Sequence, residues 1–226
     1  MNKLIDLLTH RQLVWQGKRG LVAGNVRSSG FAELDAQLQG GFPQCGVMDL
    51  RTPVGIGELR LLLPSLSSET RLVVLINPPA QVNALYWQAA GVAVERLWVI
   101  AERSAQEALW TAEWCAKSGV CCSVLLWHQA LAIHQVKRLQ LAAQEGQTQV
   151  WLVRAPQLQN SGLPLSLSLA LEPDAEGLKV QILKRKGGWA GAPFRIAFHE
   201  SWPDLILPVA LPEAQVLPLA GMPRQA

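Results

Sequence analysis

The residues whose spacing most clearly indicates chemistry form a loop after a candidate strand, Val47–Leu50. The pattern G-x-x-x-x-G-K-[ST] between a strand and a helix makes a loop whose backbone N–H groups bind phosphate, completed by a lysine and a hydroxyl residue. Aligned with that pattern, residues 52–59 read TPVGIGEL. The second glycine is kept as Gly57, but Thr52 replaces the first glycine, Glu58 the lysine and Leu59 the hydroxyl residue.

These replacements predict a loop that binds no nucleotide. The carboxylate of Glu58 places negative charge where the oxygens of a triphosphate would lie, so an attractive charge-assisted contact becomes a repulsive one. Leu59 offers no oxygen to the magnesium ion that accompanies the phosphates. We therefore expect no cofactor and no enzymatic activity. An ATPase with an unusual phosphate loop is the alternative.

Apolar periodicity predicts the elements that position this loop. The predicted strands are Val47–Leu50, Arg71–Ile76, Leu97–Ile100, Cys122–Leu126 and Gln149–Arg154. The predicted helices are Phe31–Leu38, Gly57–Leu63 (stopped by Pro64), Gln81–Ala90, one opened by the capping pair Ser104 and Glu107, and Ala130–Gln144. This alternation predicts a mostly parallel sheet that is covered by helices on both faces.

The pattern changes after Pro156. Alternating segments then predict three antiparallel strands, joined by turns at Asp174–Gly177 and Gly187–Gly188; the strands are Leu165–Leu171, Leu178–Leu183 and Phe194–Phe198. Leu4–Trp15 has the spacing of an amphipathic helix. We expect residues 1–24 to form an N-terminal helix and lead-in, residues 25–200 the α/β core, and residues 201–226 a Pro-rich tail that is flexible or ordered by a partner.

Composition narrows the class of protein. Half of the 226 residues are hydrophobic, 16% are charged, and the net charge is +3, which is too mild to indicate nucleic-acid binding by itself. The four cysteines form no C-x-x-C pair, so we expect reduced side chains that pack as small apolar residues and no zinc site. The start of the chain lacks the apolar run of a signal peptide, and no apolar run reaches the roughly 20 residues of a membrane span. A cytoplasmic protein is expected.

Over roughly residues 25–200, the chain resembles the RecA family. Residues 30–61, GFAELDAQLQGGFPQCGVMDLRTPVGIGELRL, resemble the entrance to the ATP-binding core of that family. Residues 82–100 resemble the segment before its third core strand, and residues 181–198 resemble its C-terminal β-hairpin with a basic cluster and an A-P-F triplet. The resemblance implies a RecA-like P-loop NTPase core with a degenerate nucleotide site.

The same resemblance locates two further catalytic positions. It implies a water-polarising glutamate after the second core strand, where this chain has Asn77, Pro78 and Pro79. It implies a magnesium-orienting aspartate after Cys122–Leu126, where the chain continues with a tryptophan and a histidine, Trp127 and His128. Three such losses are consistent with a core that has no ATPase activity.

Within this superfamily, the chain most resembles ImuA, a family of accessory proteins for translesion DNA synthesis in bacterial SOS operons. The resemblance is carried by VWQG at residues 14–17, GELRLLLP at 57–64, RLQLAA at 138–143 and LKRKGG at 183–188. Residues 59–156 also resemble SulA, the SOS inhibitor of the division protein FtsZ, which lacks the glycine-pair entrance and the LKRKGG hairpin. A SulA-like division inhibitor that binds FtsZ is therefore the alternative.

The ImuA resemblance implies a role and a set of partners. It implies a non-catalytic role in damage-induced mutagenesis, through contacts with RecA, with ImuB (an inactive relative of Y-family polymerases) and with an error-prone replicative-type polymerase. RecA subunits stack with ATP between neighbours, and two lysines near the C-terminal hairpin reach the neighbour's phosphates. Lys184 and Lys186 match those lysines in position and spacing, so we expect docking on RecA. A contact with DNA is left open.

Two groups of residues are candidate partner surfaces. Trp110 and Trp114 are spaced i, i+4 on a different face from the apolar residues of their helix. They form either an exposed aromatic patch for a partner or the second buried side of that helix.

The second group is the basic run Lys184, Arg185 and Lys186 with the adjoining Trp189 and Arg195. It is either a solvated turn or a contact for an acidic partner or single-stranded DNA. Asp49, inside an apolar strand, is expected to be structural and to pair with Arg71 or Arg51.

Overall fold

A computed structural model describes residues 26–157, 162–198 and Trp202. The strands are β1 Val26–Arg27, β2 Phe42–Pro43, β3 Gly46–Arg51, β4 Leu72–Ile76, β5 Leu97–Ile100, β6 Cys121–Trp127, β7 Gln149–Arg154, β8 Leu167–Asp174, β9 Gly177–Arg185 and β10 Phe194–Ala197. The helices are α1 Ala32–Leu38, α2 Leu63–Ser67, α3 Ala84–Ala89, α4 Ala105–Lys117 and α5 Ile133–Glu145, with 3-10 turns at Glu58–Leu61 and Val94–Arg96.

Strands β3 to β10 form one sheet in the order β10-β9-β8-β3-β7-β6-β4-β5, and β1 and β2 form a separate antiparallel pair. The strands from β3 to β8 pair in parallel with one another, whereas β9 and β10 pair antiparallel. The predicted architecture, a mostly parallel sheet with flanking helices and an antiparallel C-terminal region, is confirmed. β8 pairs in parallel with β3 and antiparallel with β9, so it joins both parts into one sheet.

Both faces of the sheet are covered, as the continuous apolar strands predict. Side chains alternate along a strand, so Val74 and Ile76 of β4 lie under α4 and α5, on what we call the α4–α5 face. Val73 and Leu75 of the same strand lie on the opposite face, in the core that includes α1, α2 and α3. The single apolar run of β4 therefore contributes side chains to the cores on both faces of the sheet.

Several predicted helices have different bounds in the structure. The expected helix Ala130–Gln144 is α5, Ile133–Glu145, and two others differ more. The expected helix Gly57–Leu63 is a 3-10 turn, Glu58–Leu61, followed by α2, and Pro64 lies in the first turn of α2 instead of stopping a helix. Proline is tolerated there because first-turn N–H groups have no partner within the helix. The expected helix Gln81–Ala90 is shortened to α3, which begins after Asn83, whose side chain accepts a hydrogen bond from the Tyr86 N–H at 3.2 Å.

The capping box predicted before α4 is confirmed. The Ser104 hydroxyl accepts a hydrogen bond from the Glu107 N–H at 3.1 Å, and the Glu107 carboxylate accepts one from the Ser104 N–H at 3.0 Å. The helix then runs to Lys117, just before Gly119, whose φ is +75°. These contacts fix the start of the helix that carries Trp110 and Trp114.

Some predictions lie outside the described residues. These are the N-terminal helix Leu4–Trp15, the VWQG segment and the Pro-rich tail, so the division of the chain at residues 24 and 200 stays a prediction. Among the helices that the structure describes, none is long and apolar enough to cross a membrane.

Candidate functional site

The loop aligned with the phosphate-binding pattern follows β3 at the carboxyl end of the parallel strands, the edge where open α/β sheets bind ligands. Thr52 is buried, its N–H donates a hydrogen bond to the Arg154 carbonyl at 2.9 Å, and its hydroxyl donates one to the Pro53 carbonyl at 2.7 Å. Gly55 and Gly57 both have positive φ, +85° and +86°, which glycine adopts without strain. The loop is therefore a tight turn that is tied to the end of β7.

Glu58 is directed into this turn. Its side chain is only 6% exposed, and its Oε1 atom accepts a hydrogen bond from the Gly55 N–H at 3.5 Å, a long contact. The position of the phosphate-binding lysine is thus occupied by a buried carboxylate that contacts a backbone N–H of the same loop. Leu59 packs partly buried against the core on the side of α1 to α3. The carboxylate of Glu58 repels a phosphate, and Leu59 offers no ligand atom to a magnesium ion.

Arg60 is a cation near the loop that the sequence analysis missed. Its Nε atom donates a hydrogen bond to the Tyr86 hydroxyl at 3.3 Å, and its guanidinium carbon lies 5.9 Å from the centre of the Phe198 ring. A β-carbon added at Gly57 would lie 3.3 Å from an Arg60 nitrogen, so the side chain passes directly beside the turn. Arg60 occupies no position of the phosphate-binding pattern, so the sequence did not identify it.

The other two catalytic positions implied by the RecA resemblance have structural contacts. Asn77 follows β4 with a φ of +54°, and its side-chain oxygen accepts a hydrogen bond from the Glu102 N–H at 2.7 Å, which links the ends of β4 and β5. Glu102 in turn accepts a hydrogen bond from the Thr111 hydroxyl at 2.6 Å. After β6, burial lowers the pKa of His128 below its usual value. The contacts of Asn77 and Glu102 stabilise the ends of β4 and β5.

A buried charge network lies beneath the loop, centred on Asp49 in β3. The carboxylate accepts hydrogen bonds from the Arg154 Nε at 2.7 Å, the Ser168 hydroxyl at 2.8 Å and the Arg51 Nε at 3.0 Å. The predicted partner Arg51 is confirmed. The alternative Arg71 is wrong, because that side chain donates to the carbonyls of residues 146 and 147 and lies 3.6 Å from a carboxylate oxygen of Glu69.

Arg154 was missed as a partner, although it ends the apolar strand β7 in parallel register with Arg51. Both Asp49 and Arg154 are fully buried. Strand order cannot be read from one sequence, so nothing in the sequence placed Arg154 beside Asp49. The network holds β3, β7 and β8 together below the turn.

The three cations of the basic run, residues 184–186 at the end of β9, differ in their contacts. The Lys184 amine donates a hydrogen bond to the Leu163 carbonyl at 2.6 Å, and the Arg185 guanidinium donates one to the Gln37 carbonyl at 3.3 Å. Lys186 is exposed, and Trp189 is 83% exposed. The side chains of Lys184 and Arg185 are therefore bonded to backbone carbonyls, although Lys184 is exposed to solvent like Lys186 and Trp189. Arg195, which the sequence placed beside them, lies 3.0 Å from Asp174.

Trp110 and Trp114 lie on the outer side of α4. They are 58% and 60% exposed, and their ring centres are 5.7 Å apart. The interpretation that α4 buries this side is wrong, because the helix buries a stripe of smaller residues; the stripe consists of Ala108, Leu109, Ala112 and Ala116.

Trp98 is a further exposed tryptophan, which the sequence analysis missed. It is 54% exposed on β5, the outermost strand, and pairs in register with Val74 of the α4–α5 face. Trp98 therefore lies on the side of the sheet that α4 covers. Its exposure depends on β5 being an edge strand, which no local pattern indicates.

Comparison with known proteins finds similarity to solved structures. Neither a protein-family model nor a curated protein sequence matches it. The crystal structure of SulA from Pseudomonas aeruginosa is similar at 30% sequence identity, over 48% of this chain and 97% of that one, with a TM-score of 0.41. The similarity to SulA thus covers about half of the present chain.

Proposed function

We propose that this chain is a non-catalytic accessory protein of the bacterial SOS response that supports translesion DNA synthesis through protein contacts. The observation that carries the proposal is the buried carboxylate of Glu58 in the turn where a nucleotide-binding relative holds its lysine. Leu59 packs against the core, so residues 58 and 59 supply neither the lysine nor the hydroxyl of the phosphate-binding pattern. The proposed chain therefore acts through its surfaces.

The proposed partners follow from the resemblance to ImuA. They are RecA, ImuB and an error-prone replicative-type polymerase that is reached directly or through ImuB, all in the cytoplasm. The contacts on β9 narrow the proposed docking surface for RecA. Since the Lys184 amine binds the Leu163 carbonyl, Lys186 and the adjacent Trp189 are the side chains that we assign to the partner.

Titration calorimetry with Mg-ATP tests the loss of the nucleotide site. We expect no micromolar binding, and no phosphate release above a buffer control. Glu58→Lys should not restore hydrolysis, because the groups after β4 and β6 that would polarise water and orient magnesium are also absent. Micromolar binding with turnover by the unchanged protein would refute the proposal and support the ATPase alternative.

A RecA pull-down with and without nucleotide tests the docking surface. Removing a lysine that meets phosphate should cost about 1.5–3 kcal/mol, roughly a ten- to hundredfold loss of affinity. We expect this loss for Lys186→Ala. Lys179→Ala is the control, because the Lys179 side chain on β9 is 45% exposed and its amine lies 2.8 Å from a carboxylate oxygen of Glu172. Equal binding by both variants would rule out this docking mode. Binding to DNA without RecA, with a steep fall as salt rises, would assign the same cation to DNA.

Genetic tests separate the two cellular roles. For the proposed role, deletion lowers damage-induced mutation, and overexpression leaves FtsZ rings intact. Filamentous cells on overexpression, without any loss of mutagenesis on deletion, would instead assign the chain to division inhibition, the role that its resemblance to SulA implies.

A further inference from the structure

Two cysteines lie together where α4 is followed by β6. Cys115 is in the last turn of α4 and half-buried, and Cys121 is the first residue of β6 and buried. Cys115 packs against the core cluster of the α4–α5 face, which contains Cys121. Ser118 links them, since its hydroxyl donates a hydrogen bond to the Cys115 carbonyl at 2.8 Å and lies 3.9 Å from the Cys121 sulfur. The turn between helix and strand thus brings the two side chains to one place.

The pKa values of the two thiols shift in opposite directions. Interaction with the Cys121 thiol lowers the pKa of Cys115, whereas interaction with Cys115, together with burial, raises the pKa of Cys121. Cys115, the more accessible of the two, is therefore the thiol that loses its proton more readily. A thiolate is the form of cysteine that reacts with oxidants.

We propose that Cys115 and Cys121 are an oxidative modification site, at which a hydroperoxide converts the two thiols into an intramolecular disulfide. The Cys115 thiolate attacks the peroxide, the O–O bond breaks, and a sulfenic acid forms with release of hydroxide. The Cys121 sulfur then attacks the sulfenic sulfur, and the departing oxygen leaves as water with the Cys121 proton. Two thiols are oxidised by two electrons, and one molecule of hydrogen peroxide becomes two molecules of water.

The adjacent Cys122 provides a matched control. Successive side chains of a strand point to opposite faces, and Cys122 lies in the core on the side of α1 to α3, where its thiol donates to the Leu72 carbonyl at 3.3 Å. Cys45 lies between β2 and β3, outside both α4 and β6. Geometry therefore selects Cys121, not Cys122, as the partner of Cys115.

The test counts thiols after brief treatment of the full chain with hydrogen peroxide. The protein is denatured and alkylated with N-ethylmaleimide, and its intact mass is measured. Reduced protein should carry four labels, one for each cysteine, and oxidised protein should carry two. Dithiothreitol should restore all four. Cys122→Ser should still lose two thiols, and Cys115→Ser should lose none. Cys121→Ser should form no disulfide and should lose at most one thiol, by oxidation of Cys115 to the sulfenic acid.

Tryptic peptides identify the bond in the unchanged protein, so the result does not depend on the folding of any variant. Residues 104–117 and 118–137 should be linked, and fragmentation should locate the bond at residue 121. A bond at residue 122, loss of two thiols by Cys121→Ser, or sulfinic acid at Cys115 without any linked peptide would overturn the proposal. The inference does not rest on the proposed accessory role, and either can fail without the other.

Discussion

Replacing Asp49 by alanine should be among the most destabilising single changes in the sheet. The carboxylate is fully buried and accepts hydrogen bonds from Arg154, Arg51 and Ser168. Asp49→Ala removes the negative charge but leaves the buried guanidinium of Arg154 in place. Because these groups belong to β3, β7 and β8, the loss affects the centre of the sheet and not its edge.

The size of the expected destabilisation by Asp49→Ala follows from the burial of the ion pair. Removing one partner of a buried ion pair costs about 3–5 kcal/mol, which is a large part of the roughly 5–15 kcal/mol that stabilises a typical domain. For a chain of this size, the melting temperature should fall by about 6–20 °C. Asp49→Asn keeps the size and an acceptor oxygen, so it should cost less. The control is Glu172→Ala, whose ion pair with Lys179 is 45–65% exposed and should contribute at most about 1 kcal/mol.

Urea unfolding at 25 °C, followed by tryptophan fluorescence and circular dichroism, measures these differences. The midpoint should fall for Asp49→Ala at an unchanged m-value, because the surface exposed on unfolding stays the same. If Asp49→Ala lost no more stability than Glu172→Ala, the buried network would contribute little, and the argument from burial would be wrong.

Three further outcomes can be measured with the same methods. Ser104→Ala should lower the free energy of unfolding by about 0.5–2 kcal/mol, since it removes the hydroxyl that accepts from the Glu107 N–H; an unchanged urea midpoint would contradict this. Burial lowers the pKa of His128, so its contribution to stability is present above about pH 6.5 and is lost as pH falls through the lower folded value. His128→Gln should therefore lose less stability between pH 7 and pH 5 than the unchanged protein. Trp110→Ala and Trp114→Ala should each change the unfolding free energy by less than about 1 kcal/mol, and a weakened ImuB pull-down with these variants would identify α4 as a partner surface.

The layered sheet could be predicted because local signals agreed with the fold. The apolar runs of β4, β6 and β7 are continuous, as strands covered on both faces require, and the bounds predicted for β7 match the structure. The start of α4 was predictable since Ser104 and Glu107 make a capping box from side chains that are close in sequence. In each case, the signal that allows the prediction lies within a few residues along the chain.

The contacts that the sequence did not predict depend on which segments are neighbours in the folded chain. Arg154 lies beside Asp49 because β7 and β3 are neighbours, although 105 residues separate them. Trp98 is exposed because β5 has a neighbour on only one side. The Lys184 amine binds a backbone carbonyl, an acceptor that every residue offers, so no residue type marks the partner. Strand order and backbone contacts of this kind leave no pattern in a single sequence.

The turn after β3 makes internal contacts where the phosphate-binding pattern would leave groups for a ligand. A loop that binds phosphate leaves backbone N–H groups for the ligand, whereas here Glu58 accepts from the Gly55 N–H and Thr52 is bonded to the end of β7. Leu59 also packs against the core, so returning a hydroxyl residue to that position would remove apolar contacts as well as add a magnesium ligand. Restoring the site would therefore require several changes at once, each of which removes a contact that the present turn makes. This argument, rather than the missing lysine alone, is why Glu58→Lys should fail to create an ATPase.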